Sequence, residues 1–104
     1  MNDLMRPALY QAFHEIINIS QSNSDKKNYD VVGPVCETGD FLGKDRFMSA
    51  EEKNILAILD VGAYGMSMSS NYNSRPKVPE IIVDDNKCHL IKNRESFSDL
   101  INSE

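Results

Sequence analysis

A hairpin pattern between residues 80 and 91 constrains the fold of this chain more than any other feature. Two apolar runs, at 80–83 and 88–91, flank the polar tetrapeptide Asp84-Asp85-Asn86-Lys87. Runs of β-branched and aliphatic residues on either side of such a turn are typical of two antiparallel strands. We therefore expect a β-hairpin here, within a domain that is mostly β with short helical pieces.

Two segments nearer the N-terminus also have the composition of strands. Aromatic and β-branched residues are frequent over 6–19, after Pro7, and we predict a strand there. Residues 29–35 predict another strand, which ends or lies at a sheet edge at Pro34 because proline has no N–H donor. The polar stretch 20–28 lacks an apolar anchor, so we expect an exposed, mobile loop.

All five glycines lie in the middle of the chain, between residues 33 and 65. Gly39 and Gly43 lie within 37–44, which we interpret as a structured loop because glycine adopts positive φ at little cost. The segment 62–65 predicts a turn, and 66–72 predicts a short helix rich in Met and Ser.

The segment 49–61 has two interpretations. Ser49 and Glu52 have the spacing of a capping box, which favours a helix. The apolar run 55–59 favours a buried strand instead, and periodicity alone leaves both open. Capping-box spacing recurs at 96–99, where it predicts a last helical turn.

Composition sets the class of protein. A chain of 104 residues suits one modest domain with one small core. Its net charge is -5, whereas a nucleic-acid surface needs clustered cations. No apolar run approaches the ~20 residues that span a bilayer, and the first residues lack the pattern of a signal peptide. We therefore expect a cytoplasmic protein with neither nucleic acid nor membrane as a partner.

The two cysteines, Cys36 and Cys88, lie far apart and form no CxxC pair. Without an export signal, free thiols are the default expectation. Two cysteines and two scattered histidines do not make a zinc site, so no metal is expected.

Cys36 and Glu37 form the most informative pair for chemistry. They follow a predicted strand and open a glycine-containing loop, where a rigid scaffold can present side chains to a ligand. A thiol serves as a general acid when its position and pKa suit the reaction. The alternative is that Cys36 is a small buried hydrophobic residue, as many free cysteines are.

Three further residues have ligand-binding chemistry. Arg6 and Tyr10 face the same side of a strand, where a guanidinium can bind a carboxylate and a phenol can add a hydrogen bond. Tyr64 lies between Gly62 and Gly65, which allow a ligand to approach the backbone closely. The alternatives are a surface Arg6, a half-buried Tyr10, and a Tyr64 packed over a hairpin end.

The two histidines carry no assigned chemistry. His14 and Glu15 are adjacent, so on a strand they point to opposite faces and cannot act together. We expect a structural or surface role for both residues, and the same for His89.

Four segments together resemble diaminopimelate decarboxylases in sequence, order and approximate spacing. They read MNDLMRPALY at 1–10, YDVVGPVCETGD at 29–40, LDVGAYG at 59–65 and SSNYNSRP at 69–76. The residue after Cys36 distinguishes this family from related basic amino-acid decarboxylases. The resemblance is weakest in the 20–28 loop and after Ile81, and Thr38 stands where serine is commoner in the family.

The resemblance implies a pyridoxal 5'-phosphate enzyme of fold type III that decarboxylates meso-2,6-diaminopimelate to L-lysine. It implies an N-terminal (β/α)8 barrel, a C-terminal β-barrel domain with short helices, and a homodimer. Arg6 and Tyr10 would bind substrate, and Cys36 would be the proton donor. Glu37 would contact the distal amino-acid end of the substrate, and Tyr64 would contact both substrate and cofactor. The loop at Cys36 would reach into the partner subunit's site.

The resemblance also implies that part of the enzyme lies outside this chain. The lysine that forms a Schiff base with the cofactor belongs to the family's barrel domain, upstream of every segment quoted above. We therefore expect residues 1–104 to form a single C-terminal β domain of a longer protein, inactive alone. The alternative is a non-catalytic β domain that serves dimerisation or binding.

Overall fold

The structure, a computed structural model, describes residues 3–102. Its strands are β1 (Ile16–Asn18), β2 (Lys27–Val32), β3 (Phe41–Met48), β4 (Leu56–Ile58), β5 (Glu80–Asp84) and β6 (Lys87–Lys92). Its helices are α1 (Arg6–Tyr10), α2 (Gly65–Met68) and α3 (Phe97–Asn102), with a 3₁₀ turn at Tyr72–Ser74. These elements confirm a mainly β chain with short helices.

The strands pair in three two-stranded antiparallel sheets, β1 with β4, β2 with β3, and β5 with β6. Ile17 lies opposite Ala57 in the first sheet, and Asn28 lies opposite Phe47 in the second. Residues 3–102 form these small sheets and no closed barrel, so the barrel predicted from the resemblance is not seen within this chain.

The strand predicted over 6–19 is wrong in its first half. Arg6–Tyr10 form a single helical turn with Pro7 near its start, where the missing N–H of proline sacrifices no hydrogen bond. Gln11 adopts a left-handed conformation, with φ 54°, that ends the helix, and a strand begins only at Ile16. The aromatic and β-branched composition of the segment favoured a strand. The observed helix follows instead the position of Pro7, which suits the first turn of a helix.

The loop predicted over 37–44 ends at Asp40, because β3 begins at Phe41 and runs through Gly43. A Cβ on Gly43 would lie 2.6 Å from Nε of Arg46 and 2.9 Å from Cδ1 of Ile16. Gly43 therefore allows close packing, whereas the sequence suggested a positive φ, which no glycine within residues 3–102 adopts.

The ambiguous segment 49–61 contains the strand β4, so the strand interpretation is right, although the residues of β4 are half-buried and not buried as expected. The Ser49 hydroxyl caps no helix and instead donates a hydrogen bond of 2.7 Å to the carbonyl of Ser24. The Ser22 hydroxyl lies 2.9 Å from the same Ser49 oxygen. These contacts tie down part of the 20–28 loop, which the sequence predicted to be exposed.

Both features predicted near the C-terminus are confirmed. β5 and β6 form the hairpin, and Asp85 in its turn adopts a left-handed conformation with φ 49°. At the start of α3, the N–H and hydroxyl of Ser96 donate to the Asp99 carboxylate at 2.7 and 2.8 Å. These hydrogen bonds lower the pKa of Asp99.

The core of the described residues is small. Its buried apolar side chains are Leu4, Ile16 and Met48, whereas Ile81, Leu90 and many other large apolar residues are exposed. The accessible surface is 7850 Å², against about 5900 Å² for a compact monomer of this mass. The radius of gyration, 15.2 Å, likewise exceeds the roughly 13 Å of a compact domain of this length. The chain thus exposes apolar surface that other protein can cover.

None of the helices within residues 3–102 has the length and apolar character needed to cross a membrane.

Candidate functional site

Tyr64 is held in an uncommon backbone conformation at the start of α2. Its φ of 67° and ψ of -11° lie in the left-handed region, which bulky residues rarely adopt. The N–H of Gly65 donates to the Val61 carbonyl at 3.2 Å, and the N–H of Met68 donates to the Tyr64 carbonyl at 3.1 Å. These bonds fix the turn that carries the Tyr64 ring.

Arg6 lies against the face of the Tyr64 ring. The central guanidinium carbon is 5.6 Å from the ring centroid, within the range of a cation–π contact. Arg6 is half-buried, whereas Tyr64 is 61% exposed. The two candidate residues are 58 positions apart in sequence, and the fold brings them together at the surface.

Tyr10 extends the same surface of α1. It lies four residues after Arg6, so the two side chains share one face of the helical turn. The sequence predicted that Arg6 and Tyr10 share one face of a strand. They share one face of a helical turn instead, because residues four apart lie on the same side of both elements. Tyr10 is 63% exposed.

The loop that carries Cys36 and Glu37 is organised by Asp40. The Asp40 carboxylate, only 3% exposed, accepts a hydrogen bond of 2.5 Å from the N–H of Val35. Its backbone carbonyl accepts from the N–H of Gly33 at 2.8 Å, and its N–H donates to the Glu37 carbonyl at 3.1 Å. One side chain and its peptide groups thus close the loop from both ends.

Cys36 and Glu37 are both exposed at the tip of this loop. A Cβ placed on Gly39 would lie 3.6 Å from Oε1 of Glu37 and 3.9 Å from Cβ of Ala8. The loop therefore packs beside α1, the helix that carries Arg6. Among residues 3–102, no hydrogen bond, ion pair or ring contact joins Cys36 to Arg6, Tyr10 or Tyr64.

Sequence reasoning assigned no role to Asp40 or Gly33, and both shape the loop. A Cβ on Gly33 would overlap the Asp40 carboxylate, so the glycine makes room for that side chain. A buried carboxylate needs hydrogen-bond partners, but nothing in the sequence indicated that Asp40 is buried.

A second polar cluster fastens the segment before α3 to the segment after α2. The Glu95 carboxylate accepts hydrogen bonds of 2.7 Å from the N–H of Lys77 and from the side-chain amide of Asn71. These bonds lower the pKa of Glu95, the backbone bond from Lys77 most of all. Nearby, the Arg75 guanidinium pairs with the Asp3 carboxylate at 3.0 Å.

The five candidate residues offer one half-buried guanidinium, together with two phenols, a thiol and a carboxylate that are exposed. A pyridoxal phosphate site needs side chains around the ring, a lysine for the aldehyde and donors for the phosphate. Tyr64 beside Arg6 fits the first requirement, and a Cβ on Gly62 would have no atom within 4 Å, which leaves the backbone open to a ligand. These residues fit one side of such a site. Within residues 3–102, no group of three or more His, Cys, Asp or Glu side chains could hold a metal ion.

Comparison with known proteins gives consistent matches. The model of the pyridoxal-dependent decarboxylase C-terminal sheet domain matches residues 1–62. Diaminopimelate decarboxylase of Vibrio cholerae is 55% identical over 100 residues, which are 96% of this chain and 24% of that protein. The chain thus spans about a quarter of the length of the curated relatives that it matches.

Solved structures agree with this match. Diaminopimelate decarboxylase from M. jannaschii, in complex with L-lysine, superposes with a TM-score of 0.92 at 43% identity, over 100% of this chain and 24% of that one. The Helicobacter pylori enzyme, also complexed with L-lysine, gives a TM-score of 0.90 at 46% identity, over 99% of this chain and 26% of that one. With the family match, these similarities show that the chain belongs to the pyridoxal-dependent decarboxylases, as a C-terminal sheet domain.

Proposed function

We propose that this chain forms the C-terminal part of a diaminopimelate decarboxylase, which converts meso-2,6-diaminopimelate to L-lysine and CO2. The observation that carries the proposal is the contact between Arg6 and Tyr64, which gathers two segments of the family resemblance at one exposed site. The presence of L-lysine in the M. jannaschii and H. pylori structures supports the same substrate class.

The substrate carries two carboxylates and two ammonium groups, and this chain offers a partner for each type. Arg6 binds a carboxylate through its guanidinium fork, and Tyr10 on the same helical face adds a phenolic hydrogen bond. Glu37 accepts hydrogen bonds from the distal ammonium group. A matched set of opposite charges orients a small zwitterion, which is how binding groups contribute to catalysis.

Cys36 is the proposed proton donor. Pyridoxal phosphate supplies an electron sink when bound. After the bond to CO2 breaks, the Cys36 thiol gives its proton to the carbon that has lost CO2, and the thiolate regains a proton from solvent. Tyr64 contacts both substrate and cofactor. The exposure of Cys36 supports this role, because a proton donor must be accessible to the reacting carbon.

The remaining parts of the proposal concern assembly. We assign the cofactor-binding lysine to an N-terminal (β/α)8 barrel and the three small sheets to part of a β-barrel completed by the longer protein. The Cys36 loop completes the partner's site in a cytoplasmic homodimer. The total accessible surface of this chain is about 2000 Å² larger than that of a compact monomer, and many large apolar side chains are exposed on it. Both observations support extensive cover by other protein.

A non-catalytic dimerisation or binding module is the second candidate function. One observation favours it: Ile81, Val83 and Leu90 are exposed on the β5–β6 hairpin. A groove of about 610 Å³ also lies between this hairpin and the turn at Gly62 and Gly65. On this alternative, substitutions in the Cys36 loop change dimerisation without changing any chemistry.

Cys36→Ala in the full-length protein distinguishes the two candidates. We expect turnover of meso-2,6-diaminopimelate to fall by about 100-fold or more, as for loss of a general acid, while the urea midpoint of unfolding changes little. Cys88→Ala is the matched control, because Cys88 is also a free, exposed thiol. Equal activities in the two variants, with dimerisation altered only in Cys36→Ala, would favour the binding module.

A further inference from the structure

His14 is a buried side chain to which neither the family resemblance nor the proposed chemistry gives a role. It is 3% exposed, and its Nδ1 lies 3.0 Å from the Leu59 carbonyl oxygen. Because a carbonyl oxygen can only accept, Nδ1 must carry the hydrogen. The other ring nitrogen, Nε2, is buried and has no hydrogen-bond partner among the described residues.

Leu59 is the last tethered residue before the turn that carries Tyr64. Its N–H donates to the Glu15 carbonyl at 2.8 Å, and its own carbonyl accepts from His14. The ladder between β1 and β4 has ended at Ile58, so the His14 ring supplies a hydrogen bond beyond the last strand pair.

The turn that follows contains two left-handed residues that are not glycine. Asp60 has φ 58°, and Tyr64 has φ 67°. Such conformations are sparsely populated and persist only when the surrounding structure holds them. The turn is therefore expected to depend on its attachments.

Those attachments come from one short stretch of chain. Arg6 contacts the Tyr64 ring at one end of the turn, and His14 holds Leu59 at the other end. We propose that His14 is a positioning residue for Tyr64, acting through its Nδ1–H bond to the Leu59 carbonyl. The expected effect of His14 on turnover rests on the proposed function, whereas the expected effect of His14 on the Tyr64 ring does not.

Three substitutions separate the hydrogen bond from the bulk of the ring. His14→Asn places an amide N–H close to the position of Nδ1 and keeps the donor to Leu59. His14→Gln places its amide near the position of Nε2, and His14→Leu fills the space, so both lose that donor. A residue that merely fills the core should tolerate His14→Leu best, whereas the proposal requires His14→Asn to be best.

The test uses the full-length protein with 3-fluorotyrosine and cofactor. Fluorine NMR reports the Tyr64 ring, whose resonance is assigned by Tyr64→Phe, and turnover of meso-2,6-diaminopimelate is measured in parallel. We expect His14→Asn to keep the Tyr64 resonance and kcat/KM near wild type. We expect His14→Gln and His14→Leu to shift or broaden the resonance and to lower kcat/KM about 10-fold, the scale of one lost hydrogen bond.

An unchanged Tyr64 resonance in folded His14→Gln or His14→Leu would overturn the proposal. If the wild type releases no CO2, the proposed function fails while the resonance still decides the role of His14. Nitrogen-15 NMR of wild-type His14 needs no variant at all. It should find the hydrogen on Nδ1, and a hydrogen on Nε2 alone would overturn the proposal even if every variant failed to fold.

Discussion

At the scale of single residues, the Cys36 loop depends on a buried carboxylate and the space made for it. Asp40 accepts from Val35, and Gly33 leaves the room that the carboxylate occupies. The side chains of Cys36 and Glu37 can therefore lie at the exposed tip while residues behind them hold the backbone. A loop of this kind can hold the proposed proton donor, Cys36, at a fixed place.

We expect alanine to have unequal effects at two glycines of this loop. Gly33→Ala would push a methyl group into the Asp40 carboxylate, and overpacking of this kind costs about 1–3 kcal/mol. At Gly39, the nearest atoms to an added Cβ are at 3.6 and 3.9 Å, so Gly39→Ala should stay within about 0.5 kcal/mol. Urea denaturation of the two variants measures both, and equal losses would contradict the packing argument.

The residue types in the sequence indicated the candidate site residues, but they did not indicate which of those residues contact one another. Arg6 and Tyr64 are 58 positions apart, and only the fold shows that they touch. Asp40 is polar, so its residue type favoured the surface, yet it is buried. His14 is also buried, which agrees with the structural half of the expected structural or surface role. The adjacent pair His14 and Glu15 was correctly placed on opposite faces, since one is buried and the other exposed.

At the scale of elements, the sequence predicted the turns and caps that neighbouring residues determine. It did not predict a strand whose apolar pattern is interrupted. The β5–β6 hairpin and the Ser96–Asp99 cap follow from neighbouring residues. β3 was missed because the polar stretch 44–46 interrupts its apolar pattern, although only eight residues separate it from its partner β2. α1 was predicted as a strand. The composition of the segment favoured a strand, whereas the position of proline near the start of these five residues favours a helix.

The attachment of the α3 segment should depend on pH. Hydrogen bonds from Lys77 and Asn71 lower the pKa of Glu95 in the folded protein. The stabilisation is therefore fully present above the unfolded pKa of the carboxyl group, and it is lost as pH falls through the lower folded pKa. The Lys77 amide proton, followed by NMR, should titrate with a midpoint below the usual glutamate value of about 4.3.

Glu95→Gln is the matched control, because it keeps an acceptor oxygen and removes the titrating charge. In that variant the Lys77 amide should show no transition in this pH range. A wild-type midpoint at or above about 4.3 would contradict the hydrogen-bond explanation of the lowered pKa.

At the scale of the whole molecule, the chain exposes the amount of surface that we expect of one part of a larger assembly. It exposes about 2000 Å² more than a compact monomer of its mass, an amount typical of large permanent interfaces. The sequence predicted a mainly β domain of a longer protein but not this open arrangement of three small sheets. The barrel implied by the resemblance is not closed within residues 3–102, and no pattern within this chain can specify residues outside it.

The central claim is that this chain supplies the substrate contacts and proton donor of a decarboxylase, while the cofactor's lysine lies elsewhere. Release of CO2 from meso-2,6-diaminopimelate, measured with added pyridoxal phosphate, tests the claim most directly. We predict release by the full-length protein, with ornithine and arginine as poor substrates, and none by the isolated chain. Release of CO2 by the isolated chain, or no release by a folded full-length protein with bound cofactor, would contradict the account.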